Sequence, residues 1–201
     1  MSNTLAPIFG LLVISFITPG PNNLIVMSAA ARGGFRQAVP IITGIVLGMV
    51  IFYLLACVGL AQVLVMHPKV GNILLVMGGS YLTSLGLRAI SLQTSIEPAG
   101  KEAHEPSLFG IALFQVLNPK SVILIATVAA ATPDRIAMLP VIASVMALTA
   151  AACLTIWAIA GSKLSDWLLH PHRRRAFDVS MGLLLIASAV MLLFYGWKGM
   201  A

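Results

Sequence analysis

Charge is the first thing this chain lacks. Asp, Glu, Lys and Arg make up 9% of its 201 residues, against 59% hydrophobic residues. A soluble domain carries about 25% charged residues, so water is excluded as the main solvent. The mean hydropathy of +1.00 agrees. Carboxylates are scarcest, and none lies centrally in an apolar run; Asp134, Asp166 and Asp178 stand at or near run ends. The four histidines, His67, His104, His170 and His172, are loop-placed or peripheral. No buried serine therefore has a buried His or Asp beside it. A hydrolytic membrane enzyme is excluded on that ground, and no catalytic residue is assigned. A metal-ion exporter would need thiolates, imidazoles or carboxylates at mid-membrane. The sequence offers no such cluster, so it assigns no metal ligand.

Cysteine is equally scarce. Cys57 and Cys153 each sit inside an apolar run, without disulfide or metal-type spacing. They fall in corresponding segments of the two halves, which admits a membrane thiol-redox carrier as an alternative. Neither lies at a helix break, and both fit as small packing residues. A basic stretch near the N-terminus is also missing: no Lys or Arg precedes Arg32. The first apolar segment is thus expected to be retained rather than cleaved as a signal peptide.

Long apolar runs are what the chain has. A span needs roughly 17–25 mostly apolar residues. Six candidates fall near 4–31, 39–66, 70–91, 107–132, 137–161 and 176–197. Numbering loops by the spans they join, loops 1–2, 3–4 and 5–6 hold eight basic residues: Arg32, Arg36, Arg88, Lys101, Lys163, Arg173, Arg174 and Arg175. The opposite side holds three, Lys69, Arg135 and Lys198. The positive-inside rule places the eight-charge side in the cytoplasm, and both termini then lie outside, in the periplasm of a bacterium. The net charge of +6 is explained by this loop placement, and no nucleic acid is called for.

Residues 92–106 (LQTSIEPAGKEAHEP) form the one clearly polar linker, read as cytoplasmic. They divide the chain into a first three-span unit, 1–91, and a second, 107–201. At an offset of 100, PIFGLLVISFITPG (7–20) aligns with SLFGIALFQVLNPK (107–120), and Pro40 meets Pro140. Spans three and six match at an offset of 104, where Met77-Gly78 meets Met181-Gly182. Three spans per half is odd, so the second half enters the membrane inverted. The expected fold is all-α: a polytopic membrane protein of six transmembrane helices in a 3+3 inverted repeat.

Spans one and four are expected to be broken. In Thr18-Pro19-Gly20-Pro21-Asn22-Asn23, the prolines lack N–H groups and free the carbonyls of Ser15 and Ile17. One helix should stop near Ile17 and another start near Asn22. Freed backbone groups at membrane depth are tolerated only inside protein or beside a water-filled cavity. The second half-helix offers N-terminal N–H groups to an anion, and the first offers carbonyls to a cation. In span four, Gln115, Asn118, Pro119 and Lys120 form the matching break, with Pro119 freeing the Gln115 carbonyl. Lys120 lies about 13 residues, ~20 Å, from either end of its span. It is placed either at the midplane or in an aqueous vestibule; both accord with a substrate role. A zwitterion suits such a site, and an α-amino acid is the obvious candidate.

Gly78-Gly79-Ser80-Tyr81 in span three, and Gly44 with Gly48 in span two, read as packing faces. Tyr81 is kept as a pathway candidate beside its alternative as an interface tyrosine. Residues 162–172 (SKLSDWLLHPH) read as a short interfacial helix with Trp167 at headgroup level. Arg173 to Arg175 follow, as a cytoplasmic anchor or a seat for anionic headgroups.

The runs TPGPNNLIVMSAAARGGFRQAVPIITGIVLG (18–48), GGSYLTSLGLRA (78–89), FQVLNPKSVIL (114–124) and WAIAGSKL (157–164) resemble the LysE/RhtB family of amino-acid exporters, essentially end to end. The resemblance implies export of an amino acid of the threonine, homoserine, cysteine or lysine kind across the bacterial cytoplasmic membrane, commonly driven by the proton gradient. It implies a pathway role for Pro19, Gly20, Pro21, Asn22, Asn118, Pro119 and Lys120; the residues themselves add Asn23, Gln115 and Tyr81. The expected partners are the amino acid, protons and membrane lipids, with no cofactor; a homo-oligomer is compatible with the reading. The chain departs from some members at Met49, where they carry an acidic residue. Coupling then falls to an end-placed carboxylate, or to the substrate and Lys120.

Overall fold

The structure, a computed structural model, describes residues 2–59, 68–91, 108–132 and 134–198. Those residues are helical apart from short links. In chain order the helices are α1 Ser2–Ile17, α2 Pro21–Gly33, α3 Phe35–Cys57, α4 Pro68–Ser91, α5 Leu108–Leu117, α6 Pro119–Ala131, α7 Arg135–Leu164 and α8 Pro171–Lys198.

Helix ends fall where the backbone chemistry demands. α2 and α6 each begin on a proline, whose missing N–H costs nothing in a first turn. α2 ends against Gly34 (φ 78°), a left-handed residue that turns the chain into α3. α3 stops at Cys57, earlier than the expected 39–66 span. Val58 and Gly59 (φ 110°) turn the chain there, although the apolar run continues. Residues 60–67 lie outside the described set, as does the 92–106 linker. The expected interfacial helix at 162–172 is smaller than its composition implied. α7 runs on to Leu164, and a single 3₁₀ turn, Trp167–Leu169, precedes α8. His170 is extended (ψ 123°) because it precedes Pro171, which disfavours helical backbone before it. The 3₁₀ turn buries Leu168 and leaves Trp167 and Leu169 outward.

α3 and α7 are each long and apolar enough to cross a bilayer. The pair Leu5–Ile17 and Pro21–Gly33, bent by 50°, qualifies as one further span. So does Gly110–Leu117 with Lys120–Ala131, bent by 71°. The outward faces carry Ile14, Leu47, Ile123, Leu148 and Val190, a surface that suits lipid rather than water.

α3 and α7 pack together at the centre; α1 and α2 lie against α7, and α5 and α6 against α3. α4 and α8 form an antiparallel pair, since Gly79 meets Leu193 while Gly86 meets Ile186. A Cβ on Gly86 would sit 2.6 Å from the Gly182 carbonyl oxygen, and the reverse substitution is equally close. Gly48 likewise lets α3 approach the backbone of Ala112, the packing role expected of it.

Two polar contacts tie helix ends together on one face. Arg32 Nη2, in the last turn of α2, donates to Asp178 Oδ1 of α8 at 2.9 Å. Arg175 donates to the Ile90 carbonyl near the end of α4. The C-terminal ends of α2 and α4 and the N-terminal end of α8 therefore lie on the same side of the bundle.

Candidate functional site: the cleft between two broken helices

Both breaks form, and they meet. α1 stops at Ile17, one extended stretch passes through Thr18 to Gly20, and α2 starts at Pro21. α5 stops at Leu117, and Asn118 alone separates it from α6. α2 and α6 are each 13 residues long with proline at the first position. The two breaks are thus in register at Pro21 and Pro119, 98 residues apart, rather than at Pro19 and Pro119. Pro19 falls in the longer link of the first break and is exposed.

The carbonyls released by the first break find donors from elsewhere in the fold. Asn23 Nδ2 donates to Phe16 O at 3.0 Å and to Thr18 O at 2.8 Å. Trp157 of α7 donates its indole N–H to Ile17 O at 3.3 Å. Lys120 Nζ donates to Thr18 O at 2.7 Å, so the second break's cation caps the carbonyl end of the first half-helix. A buried carbonyl without a partner costs about 1–3 kcal/mol; Asn23 avoids that cost at buried Phe16.

The amides bind the two breaks to each other. Asn22 Nδ2 donates to Gln115 Oε1 at 2.8 Å, and Gln115 Nε2 returns a bond to Asn22 Oδ1 at 3.3 Å. Asn118 Nδ2 also donates to Asn22 Oδ1, at 3.5 Å. Ser121 Oγ donates to Gln115 Oε1 at 3.0 Å, and Gln115 Nε2 reaches Ile111 O at 3.2 Å. Asn118 Oδ1 caps α6 by accepting from the Lys120 backbone N–H at 3.1 Å. The N-cap of α2 is Gly20, which has no side chain to do the same. The Lys120 ammonium lies 3.2 Å from where a Gly20 Cβ would be.

A cleft opens here, lined by Gly20, Pro21, Asn22, Asn23, Asn118 and Lys120 from the breaks. Ser15, Phe16, Ile45, Met49, Ser121, Leu124 and Leu154 complete its wall. Its enclosed part is about the size of one water molecule. The amide-rich end, an uncapped helix N-terminus and an ammonium favour a carboxylate. The Thr18 carbonyl and the amide oxygens favour a cation.

Residues 13–196 match the LysE type translocator family. The chain belongs to that family. A cysteine/O-acetylserine efflux protein of Salmonella typhimurium (strain LT2) is 31% identical over 191 residues, covering 90% of this chain and 93% of that protein. The protein of the same description from Escherichia coli (strain K12) is 28% identical over 188 residues, with the same coverage. No solved structure matches the chain. It is a membrane translocator, not an enzyme.

In this translocator the expected site residues do not all sit alike. Gly20, Pro21, Asn22, Asn23, Asn118 and Lys120 line the cleft. Gln115 lies behind it, wholly buried, and acts through Asn22 and Ser121. Pro119 opens α6. Tyr81 stands away from the cleft wall, its ring 5.0 Å from that of Phe114. Ser121 and Trp157 are additions to the expected site, while Thr18 belongs to the expected first break and Met49 is the position of the departure from some members. Ser121 has a local signal, as the residue next to Lys120; Trp157 has none, because it comes from a distant span.

Proposed function

We propose that this translocator is a secondary active exporter of a small amino acid or amino-acid derivative, held between the two breaks and driven by the proton gradient. The observation that carries this reading is the bond between Lys120 Nζ and Thr18 O. A zwitterion can enter by replacing it. Its carboxylate takes the Lys120 ammonium and the uncapped N-terminal N–H groups of α2. Its ammonium takes the vacated Thr18 carbonyl and the amide oxygen of Asn22. Every charge that loses a partner gains one, as a buried site requires. The relatives' names, cysteine/O-acetylserine efflux proteins, favour a small polar α-amino acid, and Ser15 and Ser121 in the cleft wall fit a polar side chain.

The enclosed part of the cleft is too small for an amino acid, so the halves must part around it. Six spans in two inverted three-helix units, 1–91 and 107–201, supply a way. Spans one and four are the two bent pairs. Two observations support the repeat: the paired 13-residue half-helices, and the interior prolines Pro40 and Pro140, each the sixth residue of its helix. α4 and α8, with 24 and 28 residues, are long enough to be spans three and six. The Arg32–Asp178 and Arg175–Ile90 contacts bring Arg32, Arg88 and Arg173 to Arg175, at the ends of α2, α4 and α8, to one face. The positive-inside rule makes that face cytoplasmic, with both termini periplasmic and the bacterial cytoplasmic membrane as location.

The test is uptake of a panel of radiolabelled amino acids into liposomes holding the purified protein, with and without a proton gradient. Gradient-stimulated transport of one small polar amino acid is expected. Transport of none, in protein shown to be inserted, would end the reading.

A further inference from the structure

α2 is a rod of 13 residues, about 20 Å long. Its N-terminal end builds the cleft. Its C-terminal end is held by the Arg32–Asp178 pair, which joins residue 32 of the first unit to residue 178 of the second. Asp178 is 4% exposed. Its chain neighbour Phe177 packs in an apolar cluster with Leu24, Ala31, Leu168 and Met181. An ion pair in such surroundings holds only while both partners stay together, because separating them leaves a charge without a partner. α6 is held differently at its far end. Arg135 Nε donates to Ala129 O at 2.8 Å and Thr132 Oγ1 to Val128 O at 2.7 Å, both within the second unit. One rod is therefore strapped by charge to the opposite unit, and the other is capped within its own. The cleft wall stops short of both Arg32 and Asp178, with buried Leu24 on the intervening stretch of α2.

We propose that Arg32 and Asp178 form a latch that holds α2 against α8 and shuts the passage from the cleft to the arginine-rich face. Release of the pair frees the outer end of α2, and the cleft opens to that face for loading. The inference rests on the alternating-access reading above and assigns a gating role to two residues outside the cleft.

The test has two arms. In the first, Arg32→Cys and Asp178→Cys are combined on a Cys57→Ala, Cys153→Ala background and reconstituted. A short bis-methanethiosulfonate reagent bridges the pair, whose side chains span more than a disulfide does. Bridging is expected to lower transport about tenfold or more, with recovery on dithiothreitol. Unchanged transport by the bridged protein overturns the latch, because a merely structural contact tolerates a covalent tie. The second arm needs no substrate. A cysteine at Leu24→Cys is labelled by an impermeant maleimide from the arginine-rich side, with Asp178 intact or as Asp178→Asn. Labelling about tenfold faster in the Asn variant is expected, and equal rates overturn the latch. Failure of the labelling arm counts against the latch alone. Absence of transport by the unmodified protein counts against the export reading.

Discussion

Lys120 and Thr18 come from different halves of the chain, yet the ammonium of one lies 2.7 Å from the carbonyl oxygen of the other. Lys120 stands in the first turn of α6, and Thr18 is the first residue past α1. A cation at a helix C-terminus is favourable by about 0.3–1 kcal/mol at an exposed site and more when partly buried. That gain is small against the cost of half-burying an ammonium. Among the described residues Lys120 forms no salt bridge. The carbonyl satisfies one of its three N–H donors and neutralises no charge, which leaves the ammonium suited to an anionic ligand.

Lys120→Ala is accordingly expected to lower export by about 100-fold, the effect of losing roughly 2.7 kcal/mol of ligand stabilisation. Lys120→Arg should recover part of the activity, since it restores charge but not shape. Amounts inserted in the membrane should match the parent. Export by the alanine variant at more than half the parent rate would remove Lys120 from the substrate site.

Asn22 is the hub of the amide network, with Gln115 and Asn118 both donating to its Oδ1. Asn22→Ala leaves the Asn118 Nδ2 group without this acceptor while Gln115 keeps Ile111 O and Ser121. A loss of about 1–3 kcal/mol is expected, read as a rise in KM of about fivefold or more. Gln115→Ala should act through the same contact. The double variant is then expected to be less impaired than the two single effects multiplied. Strict additivity in a double-mutant cycle would show that the two amides are not coupled in the transport step.

Much of this was legible in the sequence because broken helices announce themselves by proline and glycine. The stop at Ile17, a start within one residue of the expected Asn22 and the break before Pro119 all follow from missing N–H groups. The register between breaks was not legible. Pro19 aligns with Pro119 by sequence, but the first link spends three residues where the second spends one, so Pro21 is the structural partner. The donors that satisfy the freed carbonyls were hidden too. Trp157 lies 140 residues from Ile17, and no periodicity marks which face of a uniformly apolar helix turns inward. Asp178 looked peripheral by its place near a span end. Its burial depends on Arg32, which belongs to another helix. α3 is shorter than its apolar run because Val58 and Gly59 turn the chain after Cys57, a turn that apolar composition does not mark.

Gly161 sets how closely α2 can lie on α7. A Cβ there would sit 2.3 Å from the Met27 carbonyl oxygen and 3.1 Å from the Ala30 Cβ. Backbone cannot rotate away as a flexible side chain would. Gly161→Ala should therefore push the two helices apart at a cost of about 1–3 kcal/mol. Thermal unfolding in detergent should register the loss, with a weaker apparent affinity for substrate because the N-terminus of α2 builds the cleft. Unchanged stability and affinity would mean that α2 can shift along α7 freely.

Tyr53 makes the opposite prediction. Its side chain is fully buried on α3, beside Cys57 one turn later and Thr132 at the end of α6. Its hydroxyl has no hydrogen-bond partner among the described residues. Thr132 gives its own proton to the Val128 carbonyl, and its oxygen, like the weakly accepting Cys57 thiol, stands near the hydroxyl without a hydrogen bond to it. A buried donor in that position costs about 1–3 kcal/mol, and phenylalanine fills the same space without it. Tyr53→Phe should raise the unfolding midpoint in detergent by roughly 2–4 °C for each kcal/mol gained in a chain of this length. A fall in the midpoint would show that the hydroxyl has a partner in the membrane, and would mark this end of α6 as a second polar station.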